Sequence, residues 1–209
     1  MIFNIITQNQ KATITMNAKK RIIFTSLVLI AILVSKIGYS QTVEVNEDSF
    51  KCLTDMTPVR GFFVDNLKGD LQSTVDAAKS ANGAVYPVGS VVQLVPTEVM
   101  VKREKGYNSV TKDWEFFELD VSNKGSEIKV RGAFEVVNKF GGNCFGCHIK
   151  AKPQWDMICE QDHGCDPITL PNGMVLSQDM IKGVQKTDPR CVTAAQQQVH
   201  DALVQVASN

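Results

Sequence analysis

From Val85 to Val137 the chain is dominated by β-branched and aromatic residues in short runs, which restricts it to a fold built on a sheet. The runs are Gly89 to Val95, Glu98 to Arg103, Trp114 to Val121 and Glu127 to Val137. Turn formers at Lys105-Gly106, Asn108-Ser109 and Asn123-Lys124-Gly125 separate them, so each strand is expected to pair with the next in an antiparallel meander. In the last run, strict alternation puts Ile128, Val130, Phe134 and Val136 on one face and Lys129, Arg131 and Glu135 on the other. Gly132 falls on the apolar face, where a missing side chain suits a bulge or the close approach of a flat group.

Helical periodicity flanks this region. A short amphipathic helix is expected around Phe50, Leu53 and Met56, stopping before Pro58, and a second around Leu71, Val75 and Ala78. Asp188-Pro189 is expected to cap a C-terminal helix with Val192, Val199, Leu203 and Val206 in one stripe. Asp156 to Gly183 is rich in turn formers and reads mostly as loop. The expected class is α+β: an antiparallel β-sheet with flanking helices.

Residues 1–40 read as an N-terminal extension and a cleaved secretory signal peptide. After a second start at Met16 come Lys19-Lys20-Arg21, the apolar run Ile22 to Val34, and the small-residue signature Gly38-Tyr39-Ser40. That run falls short of the roughly 20 residues a spanning helix needs. One domain, 41–209, is then expected in the periplasm or outside the cell. Lys+Arg 22 balance Asp+Glu 22, so charge gives no footing for nucleic acid or a membrane surface.

An exported chain makes its six cysteines informative. Cys144-Phe145-Gly146-Cys147-His148 reads as a covalent haem attachment site, with both thiols as thioethers and the imidazole on iron. The two-residue gap lets both sulfurs reach neighbouring vinyl groups, and the adjacent histidine is thereby held under the metal. A zinc site built from Cys144, Cys147, Cys159 and Cys165, with His163 to spare, competes with this reading. It fits less well, because five residues separate Cys159 from Cys165 and His148 is left without a role. The remaining Cys52, Cys159, Cys165 and Cys191 allow three pairings; Cys159 with Cys165 and Cys52 with Cys191 is the favoured one.

Tyr86-Pro87-Val88-Gly89-Ser90-Val91, Glu98-Val99-Met100-Val101-Lys102, Trp114-Glu115-Phe116-Phe117 and the late Cys-Phe-Gly-Cys-His together resemble the cytochrome P-460 family, which includes the cytochromes c′-beta. The resemblance covers most of 41–209. It implies an antiparallel sheet packed on one haem c, a five-coordinate iron with His148 proximal, and a small-ligand pocket on the other side. Hydroxylamine-oxidising members carry a lysine joined to the macrocycle and a distal carboxylate, whereas the cytochromes c′-beta present phenylalanines suited to nitric oxide. Alignment on Gly89-Ser90-Val91 puts Leu94 where that lysine stands. Lys102 enters only if the frame slides, and reads better as an ordinary surface lysine.

Two functions follow from these observations. The first is an exported mono-haem cytochrome that binds nitric oxide or a similar small ligand, or passes electrons to a redox partner protein. The second is a hydroxylamine or nitric oxide oxidoreductase, with Lys102 as cross-link and Glu98 or Glu115 as proton acceptor. A homodimer is compatible with both. Phe62, Phe63, Phe116, Phe117 and Phe134 are candidate pocket walls. His163, Met100, Met157, Met174 and Met180 are the other side chains weighed as haem neighbours or ligands, and His200 reads as a surface residue. None has a spacing that selects it.

Overall fold

The computed structural model describes residues 42–138, 141–158 and 177–191, with scattered positions among 160–175 and 196–206. Six strands, β1 (Thr57–Val59), β2 (Phe62–Asn66), β3 (Ser90–Val95), β4 (Glu98–Lys102), β5 (Trp114–Ser122) and β6 (Gly125–Gly132), form one antiparallel sheet in sequence order. The meander is as expected, but the β1–β2 hairpin at its edge was not foreseen. Pro58, tolerable in the edge strand β1, and the Asp65-Asn66 pair, which lies past the reach of β1 at the end of β2, disguise those strands.

Helix α1 (Leu71–Lys79) lies where the periodicity placed it, with Asp70 capping its start through the Ser73 amide. Arg60 donates to the Ala78 and Ser80 carbonyls and so satisfies acceptors at its end. The helix expected around Phe50 is instead two single 3-10 turns, Glu47–Ser49 and Leu53–Asp55. The Leu53 amide donates to the Asp188 carboxylate and Cys52 is bonded to Cys191, so this segment is held by distant partners. A helix over Gln178–Gln185, absent from the loop reading, starts at the Ser177 cap and buries Ile181. It joins the sheet where Gln185 donates to the Gly61 and Leu94 carbonyls at 2.7 and 2.8 Å. Of the expected C-terminal stripe, Val192 and Leu203 lie outside the described residues, while Val199 and Val206 are exposed.

The sheet divides the core. On one face Val64, Val92, Met100, Trp114 and Phe116 pack with α1, Met157 and Ile158, and with Cys144 and Phe145. On the other, Val91, Val99, Val101, Phe117 and Leu119 are covered by Val43, Phe50, Leu53 and Met56. Strict alternation fails in β6. Leu119 pairs with Ile128 and Glu118 with Val130, leaving Lys129 as the extra residue of a bulge. Ile128 therefore packs on the second face, with Arg131 over the Phe117 ring at 4.9 Å, and Val130 packs on the first. Phe134 and Val136 lie beyond the strand end, Phe134 exposed and Val136 buried.

Cys52 and Cys191 form a disulfide with Cα atoms 4.9 Å apart, as expected. Cys165 is also disulfide-bonded, and Cys159 lies outside the described residues. The described domain begins at Thr42; residues 1–41 lie outside the description.

Candidate functional site

The Cys-Phe-Gly-Cys-His run forms the single-turn helix α2 (Cys144–His148), and the chain around it is short of regular partners. Asn143 supplies them. Its side-chain oxygen accepts from the Gly146 amide at 2.9 Å, while its amide group donates to the Phe134 and Val136 carbonyls. The Cys144 amide also reaches the Val136 carbonyl at 3.1 Å, so the motif hangs from the segment that leaves β6. Gly132 permits that exit. A Cβ there, at φ +153, would overlap the Glu135 carboxylate, which folds back to accept from the Phe134 amide.

Cys144 and Cys147 are both free thiols, Cys144 half-buried and Cys147 exposed. Burial pushes the Cys144 thiol up to about 12, and the charges of Glu98 and Glu118 add to the effect. Those two glutamates face each other directly across β4 and β5, on the motif's side of the sheet. Glu118 had no signal in the sequence. Glu115 lies on the opposite face, held by Arg103 and by Arg131 at 2.7 and 3.0 Å.

His148 sits half-buried on the Phe116 ring, with centroids 5.4 Å apart. Its Nδ1 is 2.7 Å from the Met157 carbonyl oxygen. A carbonyl only accepts, so Nδ1 carries the proton and Nε2 keeps a bare lone pair. Burial lowers the affinity of this imidazole for a second proton, against a smaller opposing effect of the Met157 carbonyl, and keeps the ring neutral. A neutral imidazole anchored through Nδ1 and basic at Nε2 is the form that binds a metal.

The Met157 carbonyl is itself set by an uncommon turn. Asp156 and Met157 both have left-handed backbones, φ 50 and 68. Lys102 Nζ grips the Asp156 carboxylate at 2.8 and 2.9 Å, and Trp114 Nε1 donates to the Asp156 carbonyl at 2.7 Å. The Tyr86 amide donates to the same carboxylate at 2.9 Å. Lys102 is thus no surface residue: it is 5 % exposed, donates also to the Lys112 carbonyl, and lies over the Trp114 ring. Burial lowers its affinity for a proton; the Asp156 hydrogen bond and charge oppose that.

Of the candidate pocket walls, Phe62 and Phe116 are on the motif's face, and Phe134 touches Phe145 edge-on at the margin. Phe63 and Phe117 belong to the other face. Leu94 packs on the motif's side. Met100 and Met157 are buried in the core and Met180 is exposed. His163, His200 and Met174 lie outside the described residues.

The residues present fit a haem c. Two free thiols stand one helical turn apart, and an imidazole of the right tautomer follows them. The chain matches no family model, no curated protein and no solved structure.

Proposed function

We propose that the protein is an exported mono-haem c-type cytochrome similar to the cytochrome P-460 family, binding nitric oxide or a related small ligand, or passing electrons. Cys144 and Cys147 tether the haem, and His148 ligates its iron through Nε2. Bound haem supplies one-electron and diatomic-ligand chemistry at that point. The observation that carries the reading is the 2.7 Å contact between His148 Nδ1 and the Met157 carbonyl. It fixes the ligating tautomer, and it does so in a chain whose Cys52, Cys165 and Cys191 are bonded while both motif thiols are free.

Leu94, Met100 and Phe116 make the neighbouring sheet face apolar, and the described methionines are in the core or, for Met180, on the surface. This favours a five-coordinate iron. One observation favours the oxidoreductase reading instead: Glu98 and Glu118 lie on the motif's side, where a carboxylate serves as proton acceptor. Against it, the Lys102 ammonium is engaged by Asp156, and Leu94 occupies the position aligned with the cross-linking lysine.

The experiment is to denature the purified exported protein and extract it with acidic organic solvent. Colour retained on the polypeptide, one haem per chain, is expected; colour lost to the solvent removes the proposal. A ferrous spectrum then separates the two functions, because a cross-linked macrocycle moves the Soret band far to the red and a plain haem c does not.

A further inference from the structure

Lys102 is buried, and its ammonium is spent on an aspartate 54 residues away. An amine of this kind is costly to bury, and a leucine or methionine would fill the same space without that cost. The geometry shows what the pair holds. Asp156 receives Lys102 and the Tyr86 amide on its carboxylate and Trp114 on its carbonyl. All three contacts converge on the first residue of the left-handed Asp156-Met157 turn. The second residue of that turn offers its carbonyl to His148 Nδ1.

We infer that Lys102, acting through Asp156, is a positioning residue that sets the hydrogen bond to His148 and thereby the donor strength of its Nε2. The inference rests on His148 as the iron ligand. A left-handed pair of non-glycine residues relaxes unless its surroundings fix it, and here the fixing groups are Lys102, Tyr86 and Trp114. A hydrogen bond from Nδ1–H to a well-placed carbonyl orients the ring and raises its basicity toward a metal. Release of the turn lengthens that bond, weakens the ligand and favours ferrous iron.

The test uses the full chain with 15N-labelled histidine, carried with and without haem, and a spectrum that reports which ring nitrogen bears the proton. The His148 signal is assigned by its loss in His148→Gln. Wild type is expected to show a single Nδ1–H form. Lys102→Met and Trp114→Phe are each expected to give a mixture of tautomers, and with haem bound a lower iron–imidazole stretching frequency and an upward shift of the reduction potential. Val64→Ala opens the same core and removes none of the hydrogen bonds that Tyr86, Lys102 and Trp114 make to Asp156; it is expected to lower the melting temperature and leave the His148 signal and the potential unchanged. A single Nδ1–H form retained in both Lys102→Met and Trp114→Phe overturns the inference. So does an equal change in Val64→Ala, since the effect is then general loosening. Wild type without covalent haem defeats the cytochrome reading separately, and the tautomer spectrum still decides whether Lys102 positions the ring.

Discussion

His148 and Phe116 meet ring to ring, centroids 5.4 Å apart and planes inclined by 45°. Phe116 is 1 % exposed and sits in β5 opposite Met100, so the sheet's core and the motif's imidazole share a wall. Any change in that wall acts on stability and on the setting of His148 together.

Phe116→Ala is expected to cost about 3–5 kcal/mol, because a buried ring is replaced by a cavity between sheet and motif. Urea unfolding of the variant measures it; a loss below about 1 kcal/mol contradicts the packing described.

The two motif thiols sit in different surroundings. Burial pushes the Cys144 thiol up to about 12, so thiolate is scarce there at pH 8. Cys147 is exposed. Alkylation of the unmatured chain, followed by peptide mass analysis, is expected to modify Cys147 at least ~100-fold faster. Equal rates would show that the Cys144 environment is wrong.

Cys52→Ser with Cys191→Ser is expected to lower stability by about 2–4 kcal/mol, since the bridge closes a very long loop. Mass mapping without reduction should first find the Cys52–Cys191 peptide pair, and its absence sinks this prediction before any melting curve is run.

Asp188 supplies a pH dependence. Burial acts to raise its carboxyl, but the bonds from Arg190 and the Leu53 amide outweigh this and hold it below the ordinary carboxylate range. A folded-state value below the unfolded one gives stability that is present above about pH 4 and is lost as pH falls through the folded value. Asp188→Asn is therefore expected to be less stable at neutral pH and to lose less between about pH 5 and about pH 2. Unfolding midpoints across that window check it, and parallel curves for variant and wild type count against it.

The motif and the four long strands were legible because each is a local pattern: a fixed spacing in Cys144 to His148, and β-branched runs bounded by turns. The bulge at Lys129 was not, since a single extra residue leaves the pattern of Ile128 and Val130 unchanged while sending them to opposite faces. Lys102 was read as a surface lysine because its reason for being buried, Asp156, is remote in sequence. Met157 was weighed as a sulfur ligand, yet what it contributes is a backbone carbonyl, which every residue has.

The strand order, in which every neighbour is also the next strand along the chain, has a kinetic consequence. The β1–β2, β3–β4 and β5–β6 hairpins close over two-residue loops, whereas the segment carrying the motif docks through contacts that span 42, 54 and 70 residues to Trp114, Lys102 and Tyr86. The sheet is therefore expected to be formed while the Asp156 turn is still seeking its partners, leaving both motif thiols accessible on a structured template. Pulse-labelled hydrogen exchange during refolding is expected to protect the β3, β4 and β5 amides before that of Ile158, whose bond to Trp155 exists only once the turn has closed.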